Sequence, residues 1–177
     1  MLILLEQLII LIKMFKQLND DEFIIEPNTD IYKIISMKIR EERLMNPPSN
    51  YKFPFAGNHT VDIQIDISQI TSLANFFNSV YNLIAISFYP TFYNENIKDM
   101  SGFFKGCTSL VSIDMSNFQT QNIINIANMF QECEKLTFFN MSTFNTENVQ
   151  NMSNLFKSCH SLISLDFSNI NTNNLVD

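Results

Sequence analysis

Residues 100–125 read MSGFFKGCTSLVSIDMSNFQTQNIIN, and the two stretches that follow repeat the pattern without a gap: IANMFQECEKLTFFNMSTFNTENVQN over 126–151 and MSNLFKSCHSLISLDFSNINTNNLVD over 152–177. The offset is 26 residues throughout. Phe104, Phe130 and Phe156 are equivalent, as are Cys107, Cys133 and Cys159, and Leu110, Leu136 and Leu162. Thr120, Thr146 and Thr172 recur, followed by Asn122, Asn148 and Asn174. A degenerate copy precedes these. Leu73, Phe77, Val80, Leu83, Ile86 and Phe88 match at an offset of 27, with one residue inserted near Tyr89–Thr91, beside Pro90.

Each copy carries two hydrophobic periods. Ile123, Ile126, Met129, Phe130 and Cys133 fall on one face of a helix, with Asn122 placed to cap it. Leu136, Phe139 and Met141 then follow as a short strand, which turns Phe139 and Met141 inward and Phe138, Asn140 and Ser142 outward. One helix and one strand cannot bury their apolar faces alone; stacking the next copy does. The expected fold is therefore α/β: a leucine-rich-repeat solenoid of about four coils, with a parallel sheet on one side and helices on the other. It occupies residues 61–177, its first coil degenerate.

Residues 1–60 lie outside this register and read as an N-terminal helical extension and cap. The apolar run that begins at Met1 stops by Lys13, is interrupted by Glu6 and is too short for an ordinary transmembrane helix. An amphipathic or capping helix is its first reading; a divergent signal or a membrane-surface segment is the alternative. Asn46-Pro47-Pro48-Ser49 marks a break. Val61, Ile63, Ile65 and Ile67 alternate with Asp62, Gln64 and Asp66 as a strand would, and Ile31–Ile39 reads as a strand or a short helix.

The stretch Ser109–Phe118, Thr120–Ile126 and Met129–Cys133, with Leu136, Met141, Ser142, Phe144, Thr146, Asn148, Val149, Asn151, Met152, Phe156 and Cys159 in the next copy, resembles the BspA-like class of leucine-rich repeat. The resemblance spans about residues 73–177. It implies adhesion or protein binding, a cell-surface or secreted location with the cytoplasm as the alternative, and no catalytic residues. Two features depart from such surface proteins: no cysteine precedes Cys107 to carry a lipid, and the copies are few. The chain stops at Asn174–Asp177, where another helix is expected to begin. That reads as a fragment, or as a last coil without a normal cap and open to self-association.

Composition narrows the function. Net charge is −7 and no basic run occurs, which leaves no electrostatic footprint for nucleic acid. Three cysteines cannot close into a disulfide framework and lack zinc-site spacing. A buried core row is the first reading for them, with disulfide or metal use as the alternative. His59 and His160 stand alone, and no catalytic triad spacing or phosphate loop is present. The sequons at Asn58, Asn140 and Asn151 carry meaning only for a secreted eukaryotic protein.

The expected role is a non-enzymatic protein-binding or adhesion module with no cofactor and no metal. Its partner is a protein or cell-surface ligand met by the concave strand face. Ser112, Asp114, Ser116, Phe138, Asn140, Ser142, Ser164, Asp166 and Ser168 would pave that face, Phe138 being the natural anchor. The alternative is a structural spacer, or a piece of a larger array, with no binding site of its own.

Overall fold

The computed structural model describes the chain at 70–89, 95–168 and 170–177, together with the strands that lie between residues 7 and 66. Ten strands are described. They are β1 Gln7–Lys16, β2 Phe23–Ile24, β3 Lys33–Ile39, β4 Glu42–Met45, β5 Asn50–Tyr51, β6 Gly57–Asp66, β7 Leu83–Tyr89, β8 Ser112–Asp114, β9 Phe138–Phe139 and β10 Ser164–Leu165. A six-stranded sheet runs in the order β4-β3-β6-β1-β7-β8; β9 and β10 form a separate parallel pair, as β2 and β5 form an antiparallel one.

The expected α/β leucine-rich-repeat solenoid, with helices along one side, does not form. The helical structure among the described residues is one 3-10 turn, Met141–Thr143. The segments read as helix faces are runs of turns, 74–79, 101–106, 127–132 and 153–158. Backbone dihedrals supply the reason. Asn75 and Ser79, Gly102 and Gly106, Asn128 and Glu132, and Asn154 and Ser158 all have positive φ, between 56° and 72°. A left-handed residue at every fourth position ends any α-helix before it completes a turn. The four segments are also rich in Asn, Ser, Gly and Phe, none of them strong helix formers.

What replaces the helix is a ladder between layers 26 residues apart. The amides of Met100, Gly102, Phe104 and Gly106 donate to the carbonyls of Asn125, Ala127, Met129 and Gln131 at 2.8–2.9 Å. One layer on, Ile126, Asn128, Phe130 and Glu132 donate to Asn151, Ser153, Leu155 and Lys157 at 2.8–3.0 Å. The intervening amides close local turns, as in Phe103 to Met100 and Lys105 to Gly102. Parallel bridges join Ser72, Asp99, Asn125 and Asn151 in one column. Alternate amides of these segments are therefore satisfied by the neighbouring layer and the others by local turns, rather than by a helix of their own.

The core runs through the layers. Phe77, Phe104, Phe130 and Phe156 stack in succession, their rings 5.4–5.7 Å apart and within 9° of parallel. The apolar spacing read as a helix face instead turns these side chains inward from a turn ribbon. Phe139 and Met141 are buried, and Phe138 and Asn140 exposed.

The N-terminal part also differs from the expected helical extension. The run read first as a capping helix contains β1, which pairs antiparallel with β6 along its whole length and with β7 over Ile9–Met14. Its Ile-rich sequence suits a strand hydrogen-bonded on both sides. β6 takes in Val61, Ile63 and Ile65, but β1 separates it from β7. The 31–39 segment, left open between helix and strand, contains β3. The insert at Pro90 and the break at Pro47-Pro48 lie outside the described residues.

Candidate functional site

β8, β9 and β10 present the same register positions to solvent. Ser112, Asp114, Ser116, Phe138, Asn140, Ser142, Ser164, Asp166 and Ser168 are all exposed. Ser164 pairs with Phe138 across β9 and β10, while β8 pairs with β7, Ser112 lying against Ala85 and Asp114 against Ser87. The continuous parallel sheet expected beneath these residues is thus divided between β8 and β9.

Three of the polar residues are already occupied. The Asp114 carboxylate accepts from the Ser116 amide at 2.9 Å, and Asp166 does the same with Ser168. The Asn140 side-chain oxygen accepts from both the amide and the hydroxyl of Ser142, at 3.0 and 2.6 Å. These are local turns in which the side chain mimics a backbone acceptor. The Ser116 hydroxyl and then its amide hold the Asp114 carboxyl below its ordinary range; the Ser168 amide and then its hydroxyl do so for Asp166. Both carboxylates stay charged at neutral pH but are turned along their own strands. No cluster of three or more His, Cys, Asp or Glu suited to a metal occurs among the described residues.

Phe138 is the exception on this face. It is 52% exposed, where the equivalent residues of the adjoining layers are Ser112 and Ser164. Beside β8 lies an open depression of about 320 Å³ lined by Thr60, Ala85, Ile86, Ser87, Ser112, Ile113 and Asp114. Ala85 and Ser87 extend the face by one strand. The 27-residue offset of the degenerate copy already equates them with Ser112 and Asp114, and that signal was available in the sequence. Thr60, arriving on β6, carried none.

The cysteine row, with Thr120 and Thr146, faces the interior. The thiols of Cys107, Cys133 and Cys159 donate to the carbonyls of Phe77, Phe104 and Phe130 at 3.0–3.2 Å. Burial pushes the Cys107 thiol up to about 12 and raises Cys133 and Cys159 as well, so thiolate chemistry is suppressed at all three. All three are free thiols. The Thr146 hydroxyl donates to the Asn171 carbonyl at 3.2 Å and accepts from the Asn171 amide at 2.8 Å; Thr120 clasps Asn145 in the same way. Asn148 and Asn174, at the register of the expected cap Asn122, instead donate their side-chain amides to the carbonyls of Gln121 and Glu147 one layer back, at 2.7 Å. His160 is exposed, and the side chain of His59 lies outside the described residues. No helix among the described residues is long and apolar enough to cross a membrane.

Comparison with curated proteins and with solved structures found no match to this chain. Comparison with family models overturns the BspA-like leucine-rich-repeat resemblance and the adhesin-type vocabulary that came with it. No BspA-like model matches; the matching model is DUF285, and it covers residues 71–177, all four turn ladders included. The chain therefore belongs to the DUF285 family, described as Mycoplasma protein of unknown function.

Proposed function

We propose that the outward face of β7–β10 is a non-enzymatic recognition surface for another protein, with Phe138 as its anchor. One observation carries this reading: a large aromatic side chain stands half exposed at a position that serine fills in the layers on either side. An exposed aromatic set among short polar residues offers apolar area at little entropic cost, as binding anchors do. Asp114 and Asp166 add negative charge that suits a partner with a basic rim. The depression beside β8 supplies relief into which a partner side chain can settle.

The test is capture of a binding partner by the intact chain and by a Phe138→Ala variant, with the thermal midpoint measured for both. Loss of about 2 kcal/mol of binding, roughly thirtyfold in affinity, with an unchanged midpoint is expected for a truncated anchor. Equal capture by a folded variant removes this face from consideration.

A further inference from the structure

We infer that the segment received on the outward face is an amphipathic helix of another protein. It lies across the layers and carries two cationic residues seven apart with an apolar residue midway between them. The inference rests on the recognition reading above and adds the shape and chemistry of the partner.

The face carries a pattern with a repeat. Asp114, Asn140 and Asp166 hold one register position in three successive layers, so charge alternates along the stack. Phe138 stands two residues before Asn140, in the uncharged middle layer, and is half exposed. Its neighbours are short: Ser112 and Ser164 in the flanking layers, and Ser116, Ser142 and Ser168 beyond the acidic column, all exposed. No Lys, Arg or His stands among these nine positions. The surface thus offers one apolar point between two negative ones, with small side chains around them that do not hold a helix away.

Spacing selects the helix. The rings of Phe104, Phe130 and Phe156 step by 5.7 and then 5.4 Å from layer to layer. Asp114 and Asp166 are two such steps apart, roughly 10 Å at ordinary strand spacing. An α-helix returns to one face after seven residues, with a rise of about 10.5 Å. Its third and fourth residues fall midway, to either side of that line, as Phe138 falls to one side of the acidic column. An extended strand laid in the same direction repeats its face every ~6.7 Å, and neither one nor two such steps reach the second carboxylate. A strand laid along β9 would meet a single layer. Among the described residues of this chain the one helical element is the 3-10 turn Met141–Thr143, so those residues in a second copy do not supply the helix.

Charge selects the residues on it. The Ser116 and Ser168 amides draw on Asp114 and Asp166, yet a carboxylate offers about four acceptor positions and keeps room for a cation. Asp114 also lines the depression beside β8 together with Ala85 and Ile113, a setting that suits the methylene stem of Lys or Arg.

The experiment titrates the full chain with labelled alanine-rich helical peptides of roughly 20 residues, long enough to hold a helix, and reads fluorescence anisotropy. One peptide has arginines seven apart and leucines midway. A second has the same composition with the arginines five apart, on different faces. The chain is used intact and as Phe138→Ala, Asp114→Asn and Asp166→Asn, with thermal midpoints recorded. Asn140 makes the same turn with Ser142 that Asp114 makes with Ser116, so the Asn variants lose charge and keep the local fold. Saturable binding of the first peptide is expected, about fivefold or more tighter than the second. Phe138→Ala is expected to weaken it about tenfold or more, and each Asn variant about threefold, as for a partly exposed ion pair. Absence of binding, equal binding of both peptides, or indifference to both Asn variants overturns the helix. If partner capture still depends on Phe138 in that event, the recognition reading stands without it; if neither capture nor peptide binding responds to Phe138→Ala, both fall.

Discussion

The rings of Phe104 and Phe130 lie 5.7 Å apart and 9° from parallel, although 26 residues of chain separate them. Phe130 meets Phe156 on its other side at 5.4 Å and Phe139 at 4.5 Å. Phe130→Ala would leave a cavity between two layers that cannot close without breaking the amide ladder. A loss of about 3–5 kcal/mol is expected, measured as a fall in urea midpoint. Phe138→Ala, on the exposed face, is expected to move that midpoint by no more than about 0.5 kcal/mol.

Gly102 sits at φ +62°, and a Cβ there would collide with the side-chain oxygen of Asn75 in the layer before. Gly102→Ala therefore meets both left-handed strain, about 1–2 kcal/mol, and a steric clash. Asn128→Gly, at the equivalent position one layer on, relieves strain and is expected to cost little. Thermal melts of the two variants should separate by several degrees in that order.

The Asp114 carboxyl lies below its usual 3.8 because the Ser116 hydroxyl and amide favour its charged form. A depressed folded value contributes stability that is present above the unfolded value and lost as pH falls through the folded one. The Ser116 amide resonance should accordingly titrate with a midpoint below 3.8. Asp114→Asn should abolish that titration.

Cys107 behaves in the opposite sense. Burial raises its thiol from 9.0 to about 12, so the protein gains nothing by ionising it while folded. The contribution is complete below the unfolded value and declines as pH rises from 9 toward 12. At pH 8 a thiol reagent should label Cys159 ahead of Cys107 and Cys133, because Cys159 alone is incompletely covered. Labelling of the two buried thiols should track unfolding in denaturant. Rapid labelling of Cys107 in the native state would contradict the buried row.

The layer spacing was legible because like residues recur at one offset: the Phe, Cys and Leu rows needed only counting. The local backbone was not, because apolar residues at i, i+3, i+4 and i+7 fit a helix and a turn ladder equally well. Leu73, Phe76, Phe77 and Val80 satisfy both. The discriminating signal was Asn75, Gly102, Asn128 and Asn154, since Asn or Gly at a fixed register marks a left-handed residue. β1 was missed for a related reason: a continuous apolar run has no period, and only its Ile content favoured a strand. On the candidate face, the outward positions of Asp114, Asn140 and Asp166 followed from alternation. Their capture by Ser116, Ser142 and Ser168 was also written in the chain, as an Asp or Asn two residues before a serine.

The place of β1 bears on how the chain is made. Ile10 meets Ile63 on one side and Phe88 on the other, so this strand, which precedes both partners in the chain, has none until the segment carrying β6 has followed it from the ribosome. A nascent chain in that interval carries an apolar segment with two bare hydrogen-bonding edges, and closing it demands contacts distant in sequence, which form slowly. Synthesis of this protein thus includes a vulnerable period that ends when the segment reaching Tyr89 arrives, and a holdase that grips extended apolar peptide would be most useful during it.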